Sequence, residues 1–363
     1  MKKNRIIFVT TCLAMGGVER ASANIANGLS NAGYEVILLT IFKRPHFFQL
    51  NSEIILLEPE NFNKKSINLF KSVVWIKKNI YIYKPDQVIA FVKLYSAITA
   101  IALLGSRIPL YISERSSPLY RWPYHVNIFC KLAFWLRPPE GVLSQTKIAA
   151  ESHKLYYRNS KIHILPNAIR DVKTFPEIKR EKMILAVGRI KDYLKGFDIL
   201  LNVFSLLENK DWELLIVGGD DDDDDKKLNE IAVALKIKHR VKFLRKTNNI
   251  DLYFARSGIF VMSSRSEGFP NALAEAMAAG CCCVAFDFIA GPRDIIIDKY
   301  NGYIVPDGDI NEMTYKLDFL IKNDEIRRKI GEKAMDIMDK LSIDSISNKL
   351  VKIINDDKNR SSI

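Results

Sequence analysis

Residues 6–40 read IIFVTTCLAMGGVERASANIANGLSNAGYEVILLT. The apolar run at 6–9 fits a buried strand. Residues 20–32 place small and apolar side chains on one helical face, and Gly33 stops the pattern. Residues 34–40 are rich in Val, Ile and Leu and read as a second strand. Strand, helix and strand in that order predict a βαβ unit with a parallel sheet.

The alternation continues outward. Further strands are expected at 87–91, 110–113, 141–143 and 163–165, the last ending at Pro166–Asn167, with helical stretches between. The polar, proline-containing stretch 170–182 reads as a linker, and the pattern then restarts. Strands are expected at 183–187, 212–217, 241–244, 259–262 and 282–286, with helices at 196–208, 226–235 and 271–279. The predicted fold class is α/β: two Rossmann-like βαβ domains facing a cleft, with ligands outside the carboxyl ends of the strands. A chain of 363 residues exceeds what one core usually serves. The expected boundaries are 1–170, 171–340 and a C-terminal helix or tail at 341–363 packing back towards the first domain.

Charge is distributed unevenly. Residues 1–170 hold 23 Lys and Arg against 9 Asp and Glu, leaving 31 against 33 of the totals of 54 and 42. Such a basic half suits an anionic membrane surface, a phosphate-linked substrate or a merely well-solvated face. No zinc-finger, RNA-recognition or helix-turn-helix signature supports nucleic acid as a partner. Cys281, Cys282 and Cys283 are adjacent in an apolar run, poor partners for one another, and read as small buried hydrophobes in a reducing compartment. Lys2, Lys3 and Arg5 before 6–9 imitate a signal peptide, but the apolar run breaks after four residues and leads into Gly16–Gly17. No stretch reaches the ~18 apolar residues of a spanning helix. The six aspartates 220–225 read either as a hard-cation site or as a solvated loop; consecutive aspartates cannot all converge on one ion.

Three loops carry candidate chemistry. Gly16 and Gly17, between a strand and a helix, allow close backbone approach beside free helix N–H groups; a bare tight turn explains them equally well. Arg189 ends one strand and Lys195, six residues on, opens the next helix, so the two cations could clamp a diphosphate and neutralise charge building on a leaving group. The third loop reads SRSEGFPNALAEAM from Ser264 to Met277. Gly268 permits a sharp bend, Pro270 suits the first turn of a helix, and Asn271 and Glu275 share a helix face. Glu267 precedes that helix and Glu275 lies inside it, both good acceptors for sugar and ribose hydroxyls.

Taken together these residues resemble the family 4 retaining glycosyltransferases of the GT-B fold, which build bacterial capsule, O-antigen and exopolysaccharide. The marks are Gly16–Gly17 with Glu19–Arg20, the segment Ile164 to Asn167, Gly188–Arg189 with Lys195–Gly196, the pair Glu267 and Glu275, and Asn301 to Val305 before Pro306. They fall in order over residues 6–310. The resemblance implies an acceptor-binding first domain and a nucleotide-sugar-binding second domain. It implies that the Gly17 backbone touches the donor phosphate, that Arg189 and Lys195 hold the diphosphate, that Glu267 bonds the transferred sugar and Glu275 the ribose, and that Gly268, Phe269, Pro270 and Asn271 line sugar and phosphate. The base is expected near Phe243, Leu244, Arg245 and Lys246, and the donor more often as a UDP-sugar than a GDP-sugar. Glu114 and Arg115 match the acceptor-side loop more loosely. Relatives need no metal, so no metal and no cofactor are expected. Two departures stand out: Gly219 and the aspartate run follow the strand at 212–217 where relatives carry a Gly-Pro loop, and the cysteine triplet replaces a small-Pro-Val pattern.

The expected reaction is transfer of a hexose or N-acetylhexosamine to a polyprenyl-diphosphate-linked or other saccharide acceptor. Segments 66–84 and 119–137 mix aromatic and basic residues, which suits either a membrane interface or ordinary helix packing. Peripheral association with the inner face of the cytoplasmic membrane is expected. A GT-B-fold sugar-nucleotide epimerase and a non-catalytic nucleotide-sugar-binding protein are the alternatives; a nicotinamide enzyme is disfavoured by the missing glycine fingerprint.

Overall fold

The apolar runs form the interior strands of two parallel sheets. The computed structural model describes residues 4–60, 68–220, 224–289 and 291–360. Two compact units result, one of residues 1–168 with 341–363 and one of 169–340.

In the first unit, β1 (Arg5–Thr10) leads through α1 (Gly17–Asn31) to β2 (Glu35–Thr40) and the short β3 (Ile55–Leu57). There follow α2 (Leu69–Tyr83), β4 (Gln87–Phe91), α3 (Lys93–Ala102) and β5 (Leu110–Glu114). The unit continues with α4 (Tyr124–Leu136), β6 (Gly141–Ser144), α5 (Lys147–Tyr156) and β7 (Lys161–Ile164). The strand order is β3-β2-β1-β4-β5-β6-β7, all parallel. Ile7, Val9, Ile37, Leu39, Val88, Ala90, Ile112 and Val142 project from the sheet into one core under α2, α3 and α4. Central strands buried on both faces are continuous apolar runs, and that is why they stand out in the sequence.

The second unit runs β8 (Glu181–Val187), α6 (Phe197–Leu206), β9 (Glu213–Gly219), α7 (Lys226–Ala234), β10 (Val241–Arg245) and α8 (Ile250–Arg256). It then runs β11 (Ser257–Met262), α9 (Asn271–Ala278), β12 (Cys282–Phe286), β13 (Tyr303–Val305), α10 (Ile310–Lys322) and α11 (Asp324–Ala334). Its parallel order is β10-β9-β8-β11-β12-β13. The cysteine triplet is free and buried, with Cys282 and Cys283 on β12, and burial holds all three thiols above their ordinary range.

α12 (Ile337–Leu341) leads into α13 (Ile343–Arg360), which packs on α1 of the first unit. Gly28 makes room for it: a Cβ there would come within 2.9 Å of both Ile343 and Ser347 carbons. Asp357, 2 % exposed, accepts from the Tyr111 hydroxyl (3.2 Å), lies 2.9 Å from His163 Nε2 and 3.2 Å from Lys161 Nζ, and so ties the helix to β5 and β7. Among the described residues no helix is long and apolar enough to cross a membrane.

His153, in the last turn of α5, sets a pH limit on this unit. Its Nδ1 lies 2.7 Å from Ser144 Oγ, and burial, then the Lys93 charge, pushes its pKa down to about 4. A histidine depressed in the folded state contributes stability above its unfolded value of about 6.5 and loses it as pH falls towards 4, about 3 kcal/mol in all. Denaturant unfolding at pH 7 and pH 4 is expected to show the native chain losing that much more than His153→Gln; equal losses would contradict it.

Candidate active site

In the second sheet the strand order reverses between β8 and β11, which are neighbours. Doubly wound sheets bind ligands at such a switch point, outside the carboxyl ends. The loops that follow these two strands are the ones carrying Arg189, Lys195, Glu267 and the start of α9.

Backbone geometry forces the two loops together. Asp192 caps a 3₁₀ turn at Tyr193–Lys195 by accepting from Leu194 N (3.1 Å). Gly196 follows at φ +65°, and a Cβ there would lie 2.0 Å from the Ser263 carbonyl oxygen, so only glycine fits. Ser263 Oγ donates to Lys195 O (3.0 Å), and Arg265 N donates to Leu194 O (2.8 Å). The Arg265 guanidinium makes a bidentate pair with Asp198 (2.8 and 2.6 Å), donates to Tyr193 O (2.8 Å) and covers the Tyr193 ring at 3.8 Å. That pair holds the Asp198 carboxyl below its usual range.

The outcome is a close meeting of two candidate residues. Lys195 Nζ donates to Glu267 Oε1 (2.6 Å), and Ser264 Oγ donates to the same oxygen (2.7 Å). Their side chains are 18 % and 13 % exposed, sheltered but reachable. Gly188 lets the Lys195 stem pass, since a Cβ would come 3.0 Å from Lys195 Cδ. Arg189 is not drawn into this contact: it is 69 % exposed and pairs with Asp192 (2.8 Å).

Glu275, on α9, is 5 % exposed and accepts from Arg170 Nη2 (3.3 Å). Phe269 is buried, and Pro270 caps α9, accepting from Ala274 N (3.1 Å) while Asn271 N donates to Phe269 O (2.9 Å). Phe243, Leu244 and Arg245 lie on the edge strand β10; the register slips between Leu244 and Arg245, and Lys238 covers the Phe243 ring at 5.4 Å.

The remaining candidates belong to the first unit. Gly16 is extended ahead of α1, and the Glu19 carboxylate folds over it, accepting from Thr11 Oγ1. Gly17 leaves open space where a Cβ would stand. Glu114 and Arg115 are buried at the end of β5. Arg115 donates to Ser113 Oγ (2.6 Å) and to Asn167 Oδ1, and burial lowers its pKa to about 9. Burial raises Glu114, against hydrogen bonds from Ser116.

Of the aspartate run, 221–223 lie outside the described residues; Asp220 pairs with Lys246 and Asp224 with Lys191. Among the described residues no group of three or more His, Cys, Asp or Glu is arranged to hold a metal ion. Residues 66 and 67 of the first aromatic–basic segment also lie outside the described set. On α4, Tyr124, Ile128, Leu132 and Trp135 form one exposed apolar face, and on α2 so do Phe70, Val74 and Tyr81. Sequence reading missed Arg170, Asp198, Asp251, Ser264 and Arg265 as site residues. Asp198 and Arg265 stand 67 apart in sequence, so only the adjacency of β8 and β11 reveals their pairing.

Known proteins share this sequence pattern and this fold. Residues 15–172 match the family model Glycosyltransferase Family 4, and 169–336 match Glycosyl transferases group 1. An uncharacterized glycosyltransferase of Haemophilus influenzae is 31% identical over 93% of this chain and 96% of its own. A Campylobacter jejuni GalNAc-alpha-(1->4)-GalNAc-alpha-(1->3)-diNAcBac-PP-undecaprenol alpha-1,4-N-acetyl-D-galactosaminyltransferase is 24% identical over 98% of this chain and 99% of its own. The fold of Anabaena HepE in complex with UDP superposes with a TM-score of 0.79 at 16% identity, covering 97% of this chain and 100% of that one.

Proposed function

The chain belongs to the family 4 glycosyltransferases of the GT-B fold, and from that premise we propose that it moves a hexose or N-acetylhexosamine from a UDP-sugar, rather than a GDP-sugar, to a lipid-linked saccharide with retention at the anomeric carbon. It is a glycosyltransferase of the polysaccharide-biosynthesis type. The observation that carries the finer reading is the contact of Lys195 with Glu267 at the strand-order reversal.

Each partner has a task. Lys195 places a cation where a donor diphosphate gathers charge as the bond to C1 breaks. Glu267 offers a carboxylate to the hydroxyls of the transferred sugar. Arg189, held only by an exposed pair three residues away, is free to turn onto the diphosphate, since such surface pairs are worth about 0–1 kcal/mol. In this front-face displacement the C1–O bond to the diphosphate breaks, the bond from the acceptor oxygen to C1 forms on the same face, and the acceptor proton passes to a diphosphate oxygen. Metal ions have no part in the proposal, because Lys195 and Arg189 supply the counter-charge.

Two features support the lipid-linked acceptor. The Campylobacter relative is named for an undecaprenol-linked one. In the first unit α2 and α4 flank α3, and their exposed aromatic faces carry Lys71, Lys77, Lys78 and Lys131 beside them, a composition suited to an anionic lipid interface. UDP is bound by a protein of the same fold. The test is transfer of radiolabel from UDP-sugars to a polyprenyl-diphosphate-linked saccharide in anionic liposomes. Label in the lipid fraction, with protein co-sedimenting at low salt, is the expected result. Protein that partitions equally with and without liposomes, and label confined to water-soluble saccharides, would contradict it.

A further inference from the structure

Arg170 follows the Pro166–Asn167 segment and reaches two acidic side chains far along the chain. Its Nη1 donates to Asp251 Oδ2 (2.9 Å), its Nη2 to Asp251 Oδ1, and the same Nη2 to Glu275 Oε2 (3.3 Å). Asp251 is itself fixed, accepting from Lys173 N (3.0 Å). The side chains of Asp251 and Glu275 are 11 % and 6 % exposed, and Arg170 is 30 % exposed. Burial alone would weaken the charges of Arg170 and Asp251, yet Arg170 is raised and Asp251 lowered, because each stabilises the other.

The geometry is directional. Two N–H groups fork onto Asp251, which sets the plane of the guanidinium, and one of them is shared with Glu275. Glu275 stands in the second turn of α9, whose amino end follows the Glu267 loop. A carboxylate offers about four acceptor positions, so one that accepts from Arg170 can also accept from a ribose hydroxyl. Removing Arg170 takes a charged donor away from a carboxylate that is 6 % exposed.

We propose that Arg170, oriented by Asp251, is a positioning residue that holds the Glu275 carboxylate in place for the ribose of the donor nucleotide. This rests on the assignment of Glu275 to the ribose, and the proposal adds how that carboxylate is kept aimed. Arg170 itself touches neither sugar nor diphosphate in this scheme. Lysine at the position would keep the charge and lose the fork, so it cannot pair with both carboxylates in one plane.

The test measures, by calorimetry on the whole chain, affinity for whichever of UDP and GDP binds more tightly and for its 2′,3′-dideoxy analogue. The native chain is expected to prefer the ribose form by about 10- to 100-fold, the scale of hydrogen bonds to a charged group. Arg170→Gln is expected to bring that preference to within about threefold of unity, with Arg170→Lys between, while affinity for the dideoxy form stays within about threefold. A loss of general packing would weaken both ligands together and leave the ratio unchanged. Arg170→Lys retains the counter-charge and remains informative should Arg170→Gln fold poorly. If Glu275→Gln abolishes the preference and both Arg170 variants keep it, the positioning role is wrong. If Glu275→Gln keeps it, the ribose assignment falls and the proposal with it.

Discussion

Lys195→Ala is expected to lower kcat/KM by about 100- to 1000-fold, the usual loss of about 2.7–4 kcal/mol when one preorganised charge-stabilising group is removed. Nothing else among the described contacts supplies a cation to Glu267 in that loop pair: the partners found are Lys195 and Ser264. The loss should fall mainly on kcat, because diphosphate charge grows most as the C1–O bond breaks. UDP affinity should weaken as well, since the ground-state diphosphate is already anionic. Arg189→Ala is the milder comparison, its side chain being exposed and separately paired. Steady-state kinetics over donor concentration separates the two parameters; kcat/KM within threefold of native would contradict the role.

Glu267→Ala should cost roughly 100-fold or more in kcat/KM, because a site built to bond a hydroxyl is left without its acceptor and Lys195 without its partner. Its signature differs from that of Lys195. Lys195, released from the carboxylate, should hold UDP at least as tightly as before, so transfer falls while nucleotide binding does not. The double variant should lose less than the sum of the singles, because residues in contact share one interaction. Kinetics paired with UDP titration reads all three variants; UDP binding lost in parallel with transfer would place Glu267 at the nucleotide instead of the sugar.

Much of the fold was legible because its central strands are buried on both faces. The runs at 6–9, 34–40, 87–91 and 282–286 fall on β1, β2, β4 and β12. Elements that escaped include short ones, β3 with three residues and Ile55 36 % exposed, β13 with three and α8 with seven, and also the longer helices α10 and α11. Helix α1 starts at Gly17, earlier than the pattern at 20–32 indicated, because glycines carry no apolar signal. The helix expected at 196–208 is α6 at Phe197–Leu206, preceded by its own 3₁₀ turn.

The site was legible one loop at a time. Glu267, Lys195 and Arg189 each stand beside glycines at a strand's end, which local reading detects. The pairing of Lys195 with Glu267 is a matter of strand order. Arg170 lay in a stretch read as linker, and its partners stand 81 and 105 residues away, beyond any periodicity. Glu114 and Arg115 were read on a loop; the side chains turn into the unit's interior instead of standing at its surface.

Retaining sugar transfer leaves a signature in the product itself. Purified protein is incubated with a panel of UDP- and GDP-sugars and lipid-linked acceptor, and the anomeric configuration of the product is read by proton NMR. Release of nucleoside diphosphate matched by sugar gained, an α linkage from an α-configured donor, and loss of both in Glu267→Ala are the expected results. A β linkage, or a donor sugar epimerised with nothing transferred, would contradict it.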